Sequence, residues 1–283
     1  MIPSAFDYVR PSTVEEAINA LRAGGEDAKV LGGGQSLLPV LRLRLAEPSV
    51  LVDLGGIGSL RGIRLTDDAV AIGAMTPHAE VATSDEVRAE APLVAAAAAV
   101  IGDRQVRHLG TLGGSIAHAD PAGDLPAVAV ALDATIVVAG ASGQREIAAR
   151  DFFTDLFTTA LEPTDVLVEV RFPRMAGWTA RYEKFHRTAQ AWAVVAAAVA
   201  VRRDNGSIAE ARVALTNMGP TPVRASAVEA ALAGAADLGA VKAAASRAGE
   251  ATSPPSNADG SAEYRRHLAG VLTARAVASA AGW

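Results

Sequence analysis

The chain has 283 residues, half of them hydrophobic, so it is long enough for two domains or one large one with a sizeable core. Its formal charge of −5 gives no basic footprint for nucleic acid. It contains no cysteine, which excludes disulfides, cysteine-ligated iron–sulfur clusters and a thiol nucleophile within this chain. Residues 1–10 lack a charged segment followed by an apolar run, so no signal peptide is expected. The longest apolar runs, 91–101 and 191–201, are each about 11 residues, short of the ~20 that span a bilayer. The expectation is a cytoplasmic protein, associated with a membrane only through a larger complex.

Ser12-Thr13-Val14-Glu15 fits a helix-capping box, and Val14, Ala17, Ile18 and Leu21 follow at helical spacing as far as Gly24-Gly25. Residues 28–31 predict a strand running into Gly32-Gly33-Gly34-Gln35-Ser36-Leu37. Residues 50–54 and 70–72 read as further strands. Thr76 is placed to cap a helix with Pro77 at its first position. Residues 92–101 read as an Ala/Val helix ending at Gly102. A second glycine segment, Gly110-Thr111-Leu112-Gly113-Gly114-Ser115, follows, and Asp124 is placed to cap a helix through Leu132. Residues 135–138 and 166–172 are β-rich. Composition shifts near 173–177, which predicts a domain boundary: 1–175, subdivided near 55–60, then 176–283. Beyond it, 181–185, 191–201 and 211–216 suggest an antiparallel sheet with Asp204-Asn205-Gly206 as a turn, although 191–201 is also helical by propensity. Residues 228–232, 241–248 and 262–281 read as helices. The order implies two successive α+β units.

The two glycine segments lie about 75 residues apart and hold most of the functional signal. Glycine lets the main chain approach an anion closely, and consecutive free N–H groups form an anion-binding concavity. Together they read as two backbone cradles for one phosphate-bearing cofactor. Alone, the first also fits a tight strand-to-loop turn. It is not a G-x-G-x-x-G fingerprint, because Leu37 stands at the third glycine, and no Gly-Lys-Ser/Thr follows to make a P-loop. Gln35 and Ser36 can donate side-chain hydrogen bonds to phosphate oxygens. In the second segment Thr111 and Ser115 add hydroxyls to the backbone N–H groups around Gly113-Gly114. Asp120 and Asp124 supply acceptors suited to ribose hydroxyls or an adenine amino group.

None of the five histidines falls in a persuasive metal-ligand spacing, and His118 reads as a loop hydrogen-bonding residue. No G-x-S-x-G elbow is present. Lys184, in Tyr182-Glu183-Lys184-Phe185, reads from the residues alone as an exposed strand lysine, and Arg42 and Arg44 as solvated charges.

Further segments accompany the two loops: Phe6-Asp7-Tyr8, Leu51-Val52-Asp53-Leu54, Ile72-Gly73-Ala74-Met75-Thr76, Gln105-Val106-Arg107, Ala117-His118-Ala119-Asp120-Pro121, Glu169-Val170-Arg171-Phe172-Pro173 and Leu215-Thr216-Asn217. Ala262-Glu263-Tyr264-Arg265 and 268–272 extend the set to the C-terminal helix. With them, nearly the whole chain resembles the FAD-binding medium subunit of the molybdenum hydroxylases, the family of aerobic carbon monoxide dehydrogenase, nicotine dehydrogenase and xanthine dehydrogenase. The likeness is greatest to the carbon monoxide dehydrogenase branch. The family patterns are Ala-Gly-Gly-Gln-Ser-Leu and Thr-Ile-Gly-Gly-Asn. Here Gly32 replaces the alanine, which is permissive, and Ser115 replaces the asparagine, which trades an amide for a hydroxyl. Gly102-Asp103-Arg104 replaces Ala-Asp-Pro, which loosens that loop.

The resemblance implies an α+β fold: a two-subdomain FAD-binding domain of vanillyl-alcohol-oxidase type, then a C-terminal domain with an antiparallel sheet and helices. It implies noncovalent FAD, with the pyrophosphate on residues 32–36 and on Gly113-Gly114. Leu31, Leu37 and Gly110 flank these cradles, and Asp120 stands beside the second. Asp124 would hold the adenosine side, while Ile101 and Leu167 line the flavin. Lys184 would lie near the isoalloxazine and favour an anionic reduced flavin, because opposite charge stabilises an ionised group.

The [2Fe-2S] clusters and the molybdenum cofactor would occupy an iron–sulfur small subunit and a molybdenum large subunit, in a dimer of heterotrimers. This chain would carry electrons from a cluster to an external acceptor, which is expected to be quinone because no second dinucleotide motif is visible; NAD and a small redox protein are the alternatives. The complex is expected to oxidise carbon monoxide. The rival readings are the same subunit in a nicotine or N-heterocycle, xanthine or aldehyde dehydrogenase, a flavin-free scaffold subunit, and a free-standing FAD oxidase.

Overall fold

The computed structural model describes residues 2–283. Its first sheet is parallel and three-stranded, in the order Asp7–Val9, Val50–Asp53, Ala28–Leu31. The helix Val14–Gly24 covers it, burying Ala17, Ile18 and Leu21 in one cluster with Val52 and Leu54. Its cap sits one residue later than expected. The Thr13 hydroxyl accepts from the Glu16 N–H at 3.1 Å, and the Glu16 carboxylate reaches back to the Ser12 N–H at 2.7 Å. This resembles a capping box with Glu16 rather than Glu15 in the returning role, except that the carboxylate reaches Ser12, one residue before the cap.

The second sheet is antiparallel and five-stranded, in the order Ile63–Leu65, Ala69–Gly73, Val166–Pro173, Thr135–Gly140, Gly143–Ala148. Short helices pack beside it, among them His78–Thr83, Pro92–Ala99, Arg104–Leu109, Leu112–His118 and Asp124–Ala131. Thr76 is not a cap. It is fully buried, with its hydroxyl bonded to the Gly62 N–H (3.0 Å) and carbonyl (3.1 Å), and Pro77 takes the cap position. Asp124 is the first helical residue rather than the cap, because Gly123 occupies that position and the Asp124 carboxylate is engaged elsewhere.

The third sheet runs Trp178–Phe185, Val195–Asp204, Ser207–Thr216, Val223–Arg224, all antiparallel. Asn205 and Gly206 both have positive φ (48° and 85°), which suits a hairpin turn following the sheet's twist. The alanine-rich run is a strand from Val195 onward, not a helix. Its side chains alternate between two cores: Ala198 and Ala200 pack into the core of the second sheet, Val195, Ala197, Val199 and Val201 into that of the C-terminal helices. Small residues on one face let the helix Asp124–Ala131 lie close. The helices Ser226–Leu232, Leu238–Ala245 and Ala262–Ala281 cover the other face. No helix among the described residues is long and apolar enough to cross a membrane.

Candidate functional site

A cavity of about 880 Å³ is bounded by the three larger sheets and by both glycine segments. Ligand pockets commonly hold roughly 300–1,000 Å³, so this one has room for a dinucleotide-sized ligand. Every residue expected at the site lines it except Leu31, which ends its strand just outside.

The two glycine segments are chemically unequal. In the first, none of the N–H groups of Gly33, Gly34, Gln35 and Ser36 donates to another described residue. Four consecutive donors therefore stand available at the cavity wall, as an anion cradle requires. Gly34 needs its freedom, since its φ is +73°. Gly33 is required for a different reason: a Cβ there would overlap the Leu109 carbonyl oxygen and lie 2.6 Å from the Gly110 Cα. Backbone touches backbone at this point, and the first segment is seated on the second. Gln35 uses one side-chain N–H within the loop, donating to the Gly33 carbonyl at 3.1 Å.

The second segment is not a free cradle but the first turn of the helix Leu112–His118. Thr111 caps it by accepting from the Gly114 N–H at 3.1 Å. The N–H groups of Gly110, Leu112, Gly113 and Ser115 donate to Val106, Thr76, Ala74 and Thr111 carbonyls at 2.7–3.0 Å. The expectation of equivalent free donors around Gly113-Gly114 is corrected accordingly. Gly113 is needed for packing, because a Cβ on it would come within 2.7 Å of the Ala74 backbone. What this segment offers the cavity is a bare surface at Gly114 and the hydroxyls of Thr111 and Ser115.

Asp120 accepts from the Ala122 N–H at 2.8 Å and lies 4.0 Å from His118 Nε2; burial raises its carboxyl above the usual range. Deeper, Asp124 is held from two sides. Tyr182 donates its hydroxyl at 2.7 Å and Lys184 donates Nζ at 2.8 Å; the two come from one face of the strand Trp178–Phe185. Burial pushes the Asp124 carboxyl upward, against the opposing pull of Lys184, and burial also drives the Tyr182 phenol well above its ordinary value.

Two expectations change here. Lys184 is not an exposed lysine, because its side chain is only 6% accessible. Nor can Asp124 and Lys184 serve opposite ends of an extended dinucleotide, since they touch. Lys184 is already paired with an anion, which offsets its pull on a charged ligand. Ile101, Leu167, Phe157 and Trp192 provide apolar wall.

The sequence reading missed His78, Tyr182, Phe157 and Trp192. Only Tyr182 left a usable signal, its i, i+2 spacing from Lys184 on a strand. Among the described residues, no group of three or more His, Cys, Asp or Glu is arranged to hold a metal ion.

A family model described as the FAD binding domain in molybdopterin dehydrogenase matches residues 4–175, and one for the CO dehydrogenase flavoprotein C-terminal domain matches residues 180–280. The carbon monoxide dehydrogenase medium chain of Hydrogenophaga pseudoflava is 42% identical over 284 residues, covering 99% of this chain and 98% of that one. The glyceraldehyde dehydrogenase medium chain of Sulfolobus acidocaldarius is 37% identical and covers 98% of each chain. The solved carbon monoxide dehydrogenase from Hydrogenophaga pseudoflava that lacks the Mo-pyranopterin moiety of the molybdenum cofactor matches with a TM-score of 0.96 and 44% identity, covering 99% of this chain and 98% of that one. The α+β architecture is thus shared with such medium chains, as the resemblance implied. This chain belongs to the FAD-binding molybdopterin dehydrogenase family and is an oxidoreductase subunit of the medium-chain kind.

Proposed function

We propose that this chain holds FAD noncovalently in the 880 Å³ cavity and carries electrons within a heterotrimeric molybdenum hydroxylase. The observation that carries the reading is the run of unpartnered N–H groups at 33–36, seated on Gly110 and facing a cavity of dinucleotide size. In this reading the diphosphate lies on that run and against Gly114, with the hydroxyls of Thr111 and Ser115 in reach. Ile101 and Leu167 exclude water from the ring, and the Asp124–Lys184 pair lies beside it. When bound, FAD accepts electrons and passes them on; the chain binds, orients and shields it. The domain division at 175/176, with a subdivision near 55–60, goes with this reading.

The donors would be [2Fe-2S] clusters on an iron–sulfur small subunit, supplied from a molybdenum large subunit, with two heterotrimers per complex. Carbon monoxide is our preferred substrate and quinone our preferred acceptor. Relatives of this chain serve both carbon monoxide and glyceraldehyde dehydrogenases at 42% and 37% identity, which favours substrate choice on another subunit.

The test is a visible spectrum of the purified native complex, followed by heat release of its cofactor. About one FAD per copy of this chain is the expected result. A folded, colourless complex would overturn the reading and favour a scaffold subunit. Rapid reoxidation of the substrate-reduced complex by NAD, with none by quinone, would refute the acceptor.

A further inference from the structure

His78 was absent from the expected site, yet it belongs to the cavity wall. It is only 4% exposed, and it lines the cavity. Its backbone N–H donates to the Gly110 carbonyl at 2.9 Å, which holds the residue against the second glycine segment. The ring follows the same path: a Cβ built on Gly110 would lie 3.0 Å from His78 Cδ2 and 3.2 Å from Nε2. Gly110 in turn abuts Gly33. The Nε2 edge of the imidazole therefore lies against Gly110, the residue on which Gly33 and its run of unpartnered N–H groups are seated.

The two ring nitrogens differ. Nδ1 is sealed from solvent without any hydrogen-bond partner, whereas Nε2 is not. Nδ1 is unpartnered in either tautomer, so Nε2 is the ring nitrogen open to a ligand, and an acceptor placed there selects the tautomer with its proton on Nε2. The local potential is positive. Arg107 makes no ion pair among the described residues and donates instead to the Ile101 and Gly102 carbonyls at 2.9 and 3.2 Å. Burial and this cation together hold the imidazole down to about 4, so it is neutral at pH 7. The neutral imidazole, Gly110 and the run of open N–H groups thus share the wall of one cavity, with Arg107 behind it.

We propose that His78 is a binding residue of this cavity, donating from Nε2 to the diphosphate of the bound dinucleotide. The assignment rests on the FAD reading. The ligand supplies an acceptor for Nε2, while the sealed Nδ1 stays without a partner.

The test uses the native complex stripped of flavin and three probes: FAD, ADP and riboflavin. In His78→Leu, the dissociation constants for FAD and ADP are expected to rise about tenfold or more, the scale of one lost hydrogen bond to a charged group. Riboflavin, which has no phosphate, is expected to bind as in the wild type. His78→Gln places an N–H near the position of Nε2 and is expected to stay within about threefold of wild type. Equal losses for riboflavin and ADP would overturn the proposal in favour of a packing role. Unchanged FAD and ADP affinity in His78→Leu would overturn it outright, as would a Gln variant no better than Leu. A wild-type complex that binds neither FAD nor ADP would instead refute the cofactor reading on which the proposal stands.

Discussion

Replacing Gly33 separates sterics from charge at the cradle. A Cβ at this position lies 2.6 Å from the Gly110 Cα and 2.7 Å from the Leu109 carbonyl carbon. Non-bonded carbons settle at about 3.5–4.0 Å, so the two backbones must part by about 1 Å. Neither can yield as a flexible side chain would: Gly110 donates to the Val106 carbonyl and accepts from the His78 N–H. Overpacking a tight contact typically destabilises by about 1–3 kcal/mol, and a backbone-to-backbone clash belongs at the top of that range. If all of it falls on the seated loop, FAD affinity drops by about a hundredfold.

The neighbouring glycine is the control. A Cβ on Gly32 meets the Thr111 hydroxyl at 3.3 Å, Met75 Sδ at 3.8 Å and the Gly114 Cα at 4.0 Å, ordinary to slightly close contacts. Gly32→Ala should therefore change stability by no more than about 0.5 kcal/mol. The assay is flavin content and FAD dissociation constant of the purified complex, with thermal unfolding alongside. Gly33→Ala should lose FAD nearly as completely as Gly33→Asp, because the methyl group alone forces the loops apart. Full flavin occupancy in Gly33→Ala, with loss only in Gly33→Asp, would refute the steric argument and assign the effect to the added carboxylate.

Two other consequences are open to measurement. Lys184→Met leaves Asp124 buried without its cation, and breaking such a pair costs about 3–5 kcal/mol. The double change Lys184→Met/Asp124→Asn should recover more than 1 kcal/mol of that loss, and strictly additive unfolding energies would show that the pair is not coupled. His78 gives a pH signature in the flavin-stripped complex. Its folded-state value of about 4 lies below the ordinary 6.5, so its contribution to stability is present above pH 6.5 and lost as pH falls towards 4. The loss is on the order of 3 kcal/mol by pH 4, and His78→Gln should remove that part of the acid sensitivity. Parallel melting-temperature profiles for the two proteins between pH 7 and 4 would contradict the assignment.

What the sequence makes legible here is what depends on neighbours along the chain. The strand 28–31 and the glycines after it are local features, and so are the Asn205-Gly206 turn and the helix 262–281. The Ala-rich run was ambiguous because alanine fits either state. Only the cores on both sides of Val195–Asp204, one of them built by residues some 70 positions earlier, select the strand. Lys184 read as a solvated charge for the same reason, since its partner Asp124 is 60 positions away. Nothing near His78 in sequence announces that its ring will rest on Gly110.

The inequality of the two glycine segments belongs to this long-range class, and it bears on how the site works. Both are glycine-rich in sequence, yet the helix turn at 112–115 has its donors tied to Thr76, Ala74 and Thr111, while those at 33–36 have none. The second segment is thus a finished structure without a ligand, fixed by its cap and by Gly113 against Ala74. The first is completed only when an acceptor arrives. Ligand binding energy should therefore appear mainly as ordering of 32–37, with 110–118 already in place. Hydrogen exchange provides the discriminating signal: adding FAD to the stripped complex should protect the amides of 33–36 strongly and those of 112–115 little. Equal protection of both segments would mean that the second is also built by the ligand, and that its tied donors open before it binds.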